Sequence, residues 1–256
     1  MQSPYILHVR PPLGNHPGHM RKLTRTLLVG VSAIVALGTL SACSGGSSTE
    51  ATSTPEAATT TAAATAFPKS ARYMADMKSA DGETMTIGIS VDGTEVAGYA
   101  CNGTDDEAWF FGNQADGKID IKSRFRDTLA AEFDGTNVEG DLTMNGVAYE
   151  FTAAPVSGVA GMYTAAFDGV RASWVVREDG SAIGVQFNAA TGQKLEQSDL
   201  EQLADDQFRA QVRNKRELVA AKQIEFLSDN GVKTAKSTIN GKQVTPTLVT
   251  GSFRLS

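Results

Sequence analysis

The chain holds two cysteines, Cys43 and Cys101, and three histidines, His8, His16 and His19, all near its start. Cys43 ends an apolar N-terminal run, so the rest of the chain has one cysteine, no histidine, no intramolecular disulfide and no thiolate set for a metal cluster. Cys101 then reads as a small hydrophobe on a strand, since no histidine stands nearby to activate a thiolate. Serine-hydrolase triads fail on the same missing base, and neither a Gly-x-Ser-x-Gly elbow nor a P-loop or dinucleotide fingerprint occurs. Asp105-Asp106-Glu107 could offer oxygens to a hard cation, but three adjacent acids lack the alternate spacing and the glycine of a calcium loop, and solvated loop charge is the simpler account. Paired carboxylates could still hydrolyse a glycan without histidine or metal, although no particular pair stands out. No metal or cofactor is expected. Arg209, Arg213 and Arg216 sit at i, i+4 and i+7, a spacing that would put a basic stripe on one face of a helix. Such a stripe could touch anionic headgroups; a solvated helix face is the plainer reading.

The formal charge is −6, and residues 1–42 carry four cations (Arg10, Arg21, Lys22, Arg25) and no acid, so the remainder stands at −10. An acidic surface argues against nucleic acid as a partner.

The N-terminal residues are organised for export. Met20-Arg21-Lys22-Leu23-Thr24-Arg25 is basic, and residues 26–40 are apolar but too few to span a bilayer comfortably, the layout of a signal peptide over residues 20–42. Residues 1–19, with Pro11, Pro12 and Pro17, fit neither a signal nor a helix, and Met20 is the expected initiator. The run closes on Leu40-Ser41-Ala42-Cys43, which resembles the lipobox of bacterial lipoproteins: an aliphatic residue, two small residues that let a peptidase reach the backbone, and the cysteine that takes the lipid. The resemblance implies acylation of Cys43 and anchoring to the outer face of the cytoplasmic membrane. Residues 43–70 are then a Ser/Thr/Ala tether with almost no large apolar side chain, unable to offset the entropy of folding. As a coil it would reach roughly 25–30 Å. Its Thr52, Thr54, Thr59, Thr60 and Thr61 resemble the O-mannosylated tethers of actinobacterial lipoproteins, though an unmodified spacer fits equally well.

Between residues 71 and 190 the signal is alternation broken by turn dipeptides: Asp92-Gly93, Asp116-Gly117, Asp134-Gly135, Asn145-Gly146, Asp168-Gly169 and Asp179-Gly180. A two-residue turn pairs its flanks, and paired side chains share a face. Around Asn145-Gly146 this puts Leu142 opposite Tyr149 and Gly140 opposite Phe151. Around Asp179-Gly180 it puts Trp174 opposite Val185 and Val176 opposite Ile183; around Asp92-Gly93, Ile89 opposite Val96. The fold class predicted is mainly β: an antiparallel β-meander, barrel-like, followed by one long C-terminal α-helix. The inward set is Met85, Ile87, Ile89, Val96, Ile119, Ile121, Leu129, Phe133, Val138, Leu142, Tyr149, Phe151, Trp174, Val176, Ile183 and Val185. The helix is expected over about residues 199–228, within a segment 191–231, from a capping box at Ser198-Asp199-Leu200-Glu201 to a stop at Asn230-Gly231, with Leu200, Leu203, Ala204, Phe208, Val212, Val219 and Phe226 as its apolar stripe. Residues 232–256 are expected to be a partly ordered tail, with a weak hairpin at Asn240-Gly241.

The functional expectation is a non-catalytic envelope module, tethered through Cys43, that binds an apolar or amphiphilic ligand or a protein partner. A ligand would line Met85, Ile87, Ile89, Phe133, Leu142, Tyr149, Phe151 and Trp174, in volume left by Gly98, Ala100, Gly140 and Gly184. A partner would meet the C-terminal helix. The alternatives are a structural or adhesion protein without a pocket and a carboxylate-dependent hydrolase of envelope glycans.

Overall fold

Turn chemistry sets the architecture. The computed structural model describes residues 65–189 and 201–255; the expected signal peptide and lipobox, most of the expected tether and residues 198–200 of the expected capping box lie outside them. Eight antiparallel strands close a barrel: β1 (Ser70–Lys78), β2 (Thr84–Asp92), β3 (Glu95–Cys101), β4 (Glu107–Ala115), β5 (Lys118–Lys122), β6 (Thr128–Phe133), β7 (Val138–Met144) and β8 (Val147–Pro155). Asn145 and Gly146 both take positive φ, 53° and 83°, which matches a two-residue turn to strand twist and pairs Met144 with Val147 and Leu142 with Tyr149, as expected. The β2–β3 loop is Gly93-Thr94 instead of Asp92-Gly93, so Ile89 faces Gly98, not Val96. A slip of two residues leaves every side chain on its expected face.

The barrel is two four-stranded meanders joined by narrow seams. β4 pairs with β3 over seven residues but with β5 only at Gln114↔Ile119 and Ala115↔Lys118. β1 meets β8 only at Tyr73↔Pro155 and Met74↔Ala154. Both ends are covered. At the end where the chain enters, Phe67 stacks on Phe133 at 4.7 Å and meets Tyr73 edge-on at 5.9 Å. At the far end, which carries the β3–β4, β5–β6 and β7–β8 turns, residues 203–216 lie across the mouth.

The expected β-domain is divided. The barrel ends at Pro155, and the next strands, β9 (Gly161–Phe167), β10 (Val170–Val176) and β11 (Ala182–Asn188), build a second sheet with β12 (Leu218–Ala220) and β16 (Thr247–Leu248), in the order β12-β11-β10-β9-β16. One face of this sheet, with Met162, Val175 and Val185, packs on Ala97, Tyr99, Cys101 and Trp109 outside the barrel. Its other face, with Tyr163, Trp174 and Val176, is covered by Ile224 and by Ala235 and Ile239 of a small meander that follows it, β13 (Glu225–Asp229), β14 (Val232–Ile239) and β15 (Lys242–Val244). The tail expected to be half ordered thus supplies β14, β15 and β16.

Two expectations are corrected by these layers. At Asp179-Gly180 only Gly180 has positive φ (86°); the Arg177 N–H bonds Ser181 O and the Gly180 N–H bonds Arg177 O, so the loop has three residues and Val176 pairs with Ala182. That one-residue slip sends Trp174 and Val185 to opposite faces, and Trp174, Val176, Ile183 and Val185 all lie outside the barrel. The long C-terminal helix is absent. Its span contains α1 (Asp205–Gln211), a 3-10 turn (Arg213–Lys215), β12 and β13. Absence of Gly and Pro permits a helix without compelling one, and two tertiary demands override the propensity. Arg213 turns into the barrel end, 2% exposed, and β12 fills the open edge of β11, pairing Leu218 with Phe187 and Ala220 with Val185.

Candidate functional site

The titratable side chains collect where the barrel's far end, the second sheet and residues 203–216 meet. Strand alternation sends Glu107 out of the barrel wall and under the second sheet, where it is 1% exposed. Its Oε2 accepts from the Tyr99 hydroxyl at 3.0 Å and its Oε1 pairs with Arg171, whose Nε donates to Ser173 Oγ at 3.3 Å and whose guanidinium lies over Phe187. Next along the loop, Asp106 faces Arg213 Nη2 at 2.8 Å and Arg216 Nη2 at 3.5 Å. Arg213 Nε donates to Asp127 Oδ1 at 2.8 Å, and that oxygen also accepts the Asn145 N–H at 3.0 Å. Arg216 Nη1 donates to the Glu107 carbonyl at 2.9 Å while its guanidinium covers Phe125 at 4.2 Å. Three carboxylates and three guanidiniums are thereby enclosed together.

Their electrostatics follow from that enclosure. Burial raises the pKa of Asp106, opposed by Arg213 and Arg216, and burial raises that of Glu107 against Arg171, Arg216 and the Tyr99 hydrogen bond. Burial also lowers Arg216, aided by the like charge of Arg213. Contact and hydrogen bonding diverge here: Asp106 Oδ1, Arg213 Nη2 and Arg216 Nη2 are close enough for ion pairing yet aligned for no hydrogen bond. Raised carboxylates often mark catalysis, but an ion network produces the same shift, and here both raised carboxylates face arginines, with side-chain exposures of 17% for Asp106 and 2% for Glu107. Cys101, fully buried beside it, has its thiol pushed up to about 12 by burial.

The arginine stripe is therefore resolved unevenly. Arg209 pairs with Asp206 at the surface, whereas Arg213 and Arg216 turn inward to acids and are closed to headgroups. The Asp105-Asp106-Glu107 run also separates: Asp105 is held below the usual carboxylate range by hydrogen bonds from Asn102 and Thr104, while its two neighbours point in. Among the described residues no three metal-ligating side chains converge.

The expected ligand chamber is occupied. Met85, Ile87, Ile89, Phe133, Leu142, Tyr149 and Phe151 do line the barrel interior, but as one core with Phe110, Ile119 and Leu129. Trp174 stands outside it and donates its Nε1–H to Lys222 O at 2.8 Å. The small residues mark close approach, not free volume. A Cβ on Gly98 would lie 3.2 Å from Leu129 Cδ2, one on Gly140 2.2 Å from Ala130 O, and one on Gly184 2.5 Å from Trp174 Cδ1.

Outside, β5–β8 form a wall that no other layer among the described residues covers. Its concavity is a shallow open groove of about 480 Å³ lined by Glu139, Gly140, Asp141, Glu150, Phe151 and Thr152. The register puts Glu132 directly opposite Glu139 and Asp141 directly opposite Glu150, all four exposed. No protein-family model, no curated protein and no solved structure matches this chain.

Proposed function

We propose that this chain is an exported lipoprotein, acylated at Cys43 and held at the outer face of the cytoplasmic membrane, whose folded part is a non-catalytic module that receives a protein partner on its outer surface. One observation carries the choice of partner over enclosed ligand: the barrel interior is filled by its own side chains and covered at both ends. An occupant must then be met from outside, and the wall of β5–β8 is a broad face that no layer among the described residues covers. Its paired Glu132, Glu139, Asp141 and Glu150 favour a partner of complementary positive charge. A glycan hydrolase fits less well. The carboxylates raised in pKa, as a general acid requires, are Asp106 and Glu107, both paired with arginines, while those of the groove stand in solvent.

A photo-crosslinking amino acid at Ala130 or Thr152, in cells that export and acylate the chain, should give one discrete protein adduct in the membrane fraction. The Cys43→Ala chain should remain unacylated and lose that adduct. Lipid adducts at these positions, or none with the acylated chain, would reject the reading, as would an unmodified mature N-terminus in the membrane fraction.

A further inference from the structure

The β4–β5 seam opens toward the far end of the barrel, and the parity of β4 shows what it leaves uncovered. The Gln114 N–H bonds Thr94 O, so even residues of β4 direct their backbone groups to β3 and odd residues toward β5. The β5 ladder stops at Gln114↔Ile119, so Glu107, Trp109 and Phe111 present an edge to which no β5 residue is paired. At Glu107 the missing partner is replaced by a side chain, the Nη1 of Arg216.

Residues 203–216 hold this position largely through charged contacts. Arg126, from the β5–β6 turn, donates to Leu203 O at 2.9 Å, pairs with Asp205 at 2.8 Å and covers the Phe208 ring at 4.2 Å. Arg213 reaches Asp127 and Asp106, and Arg216 reaches Glu107 O and Phe125. Phe208 is the one apolar side chain of the segment that is fully buried. No ladder joins the segment to the barrel, its helix has seven residues, and its Arg213 Nη2 and Arg216 Nη2 make no aligned hydrogen bond. Buried ion pairs of that kind contribute little net stability, whereas the barrel beneath is held by ladders and a continuous apolar core.

We propose that residues 203–216 are a latch over the free edge of β4, opening as a unit while the barrel stays folded. The hinge side is β12, where Leu218 and Ala220 rejoin β11 through a ladder. Opening frees the Glu107 carbonyl that Arg216 caps at the far end of the β4 edge. This inference does not depend on the reading of the β5–β8 wall.

The closed latch hides the bonds after Arg213 and Arg216 from trypsin, so the test is native-state proteolysis of the full mature chain with cleavage sites mapped by mass spectrometry. Cutting at these two bonds should proceed in native buffer with almost no urea dependence, while amides of β2 and β3 stay protected from hydrogen exchange. Asp127→Asn should speed the cut about tenfold or more. Phe208→Ala, which leaves the ion pairs in place, should do the same, so a poorly folded Asp127 variant does not remove the test. Cleavage that rises with urea as steeply as global unfolding, or loss of β2 and β3 protection together with residues 203–216, would overturn the latch.

Discussion

Replacing Arg213 with methionine keeps much of the side chain's length and apolar stem while removing its charge, and the structure sets the size of the result. Arg213 is 2% exposed, and its loss strips Asp127, also 2% exposed, of its guanidinium partner. Breaking a buried ion pair by deleting one partner costs about 3–5 kcal/mol, because the orphaned charge stays desolvated. Here the cost should lie near the lower end. Asp127 keeps hydrogen bonds from the Asn145 N–H and from Ser123 Oγ, and Asp106 keeps Arg216 at 3.5 Å. With a urea m-value of about 2 kcal/mol/M, a loss of about 3 kcal/mol lowers the unfolding midpoint by about 1.5 M. Circular dichroism and tryptophan fluorescence, which sees Trp109 and Trp174, should report coincident transitions. Arg213→Met with Asp127→Asn should recover part of the loss, since both charges then leave together. A midpoint shift below about 0.5 M for the single variant, or no recovery in the double, would refute the claim that these charges are desolvated and mutually dependent.

Two further outcomes follow from the same enclosure. Asp106 and Glu107 have folded pKa values raised by burial, so the folded state binds their protons more tightly and their contribution to stability grows as pH falls through those raised values. Asp76 and Asp105 are depressed by their hydrogen bonds and give up stability only as pH falls through their lower values. The urea midpoint should therefore hold or rise from pH 7 to about 5 and drop below about pH 4, and a steady decline from neutral pH would contradict the assigned directions. Cys101, fully buried with its thiol pushed up to about 12, should react with an aromatic disulfide reagent at pH 8 no faster than the protein unfolds; rapid labelling in native buffer would show that the second sheet lifts off the barrel.

The barrel was legible because tight turns carry their own register. Asn145-Gly146 set β7 against β8 residue for residue, and at the β2–β3 turn an error of two positions cost nothing, since side chains alternate with period two. The same rule made an error of one position costly at Asp179-Gly180, where Gly180 alone takes positive φ and the loop gains a residue. Trp174 was lost to the wrong layer there. The signal against that placement lay in Ala172-Ser173-Trp174-Val175-Val176, a nearly unbroken apolar run of the kind strands show when both faces are covered. The helix failed for a different reason. The spacing of Arg209, Arg213 and Arg216 is helical, but where a guanidinium points depends on which acids come within reach. Asp127 is 86 residues from Arg213 in the chain, and only the closed barrel brings them together.

Charge distribution supplies the remaining step from fold to function. From Ser70 to Pro155 the barrel carries sixteen acidic against six basic side chains, whereas residues 201–255 carry six acidic against nine basic. The excess bases are partly spent at the far end, where Arg213 and Arg216 answer Asp106, Asp127 and the Glu107 carbonyl. The wall of β5–β8 receives little of that compensation. Among its described ion pairs is Lys118 with Glu132, 3.6 Å apart, with both side chains well exposed and the pair weak in consequence. Glu139, Asp141 and Glu150 stand in cross-strand positions where like charges oppose, each such pair costing up to about 1 kcal/mol. Neutral Thr at the same outward positions of β6 and β8, as at Thr128 and Thr152, shows that the pleat accepts uncharged residues there. A positively charged surface laid on this wall would turn both repulsive pairs into attractive contacts at once, which is the physical content of the partner-binding reading and the reason the crosslinks are sought at Ala130 and Thr152.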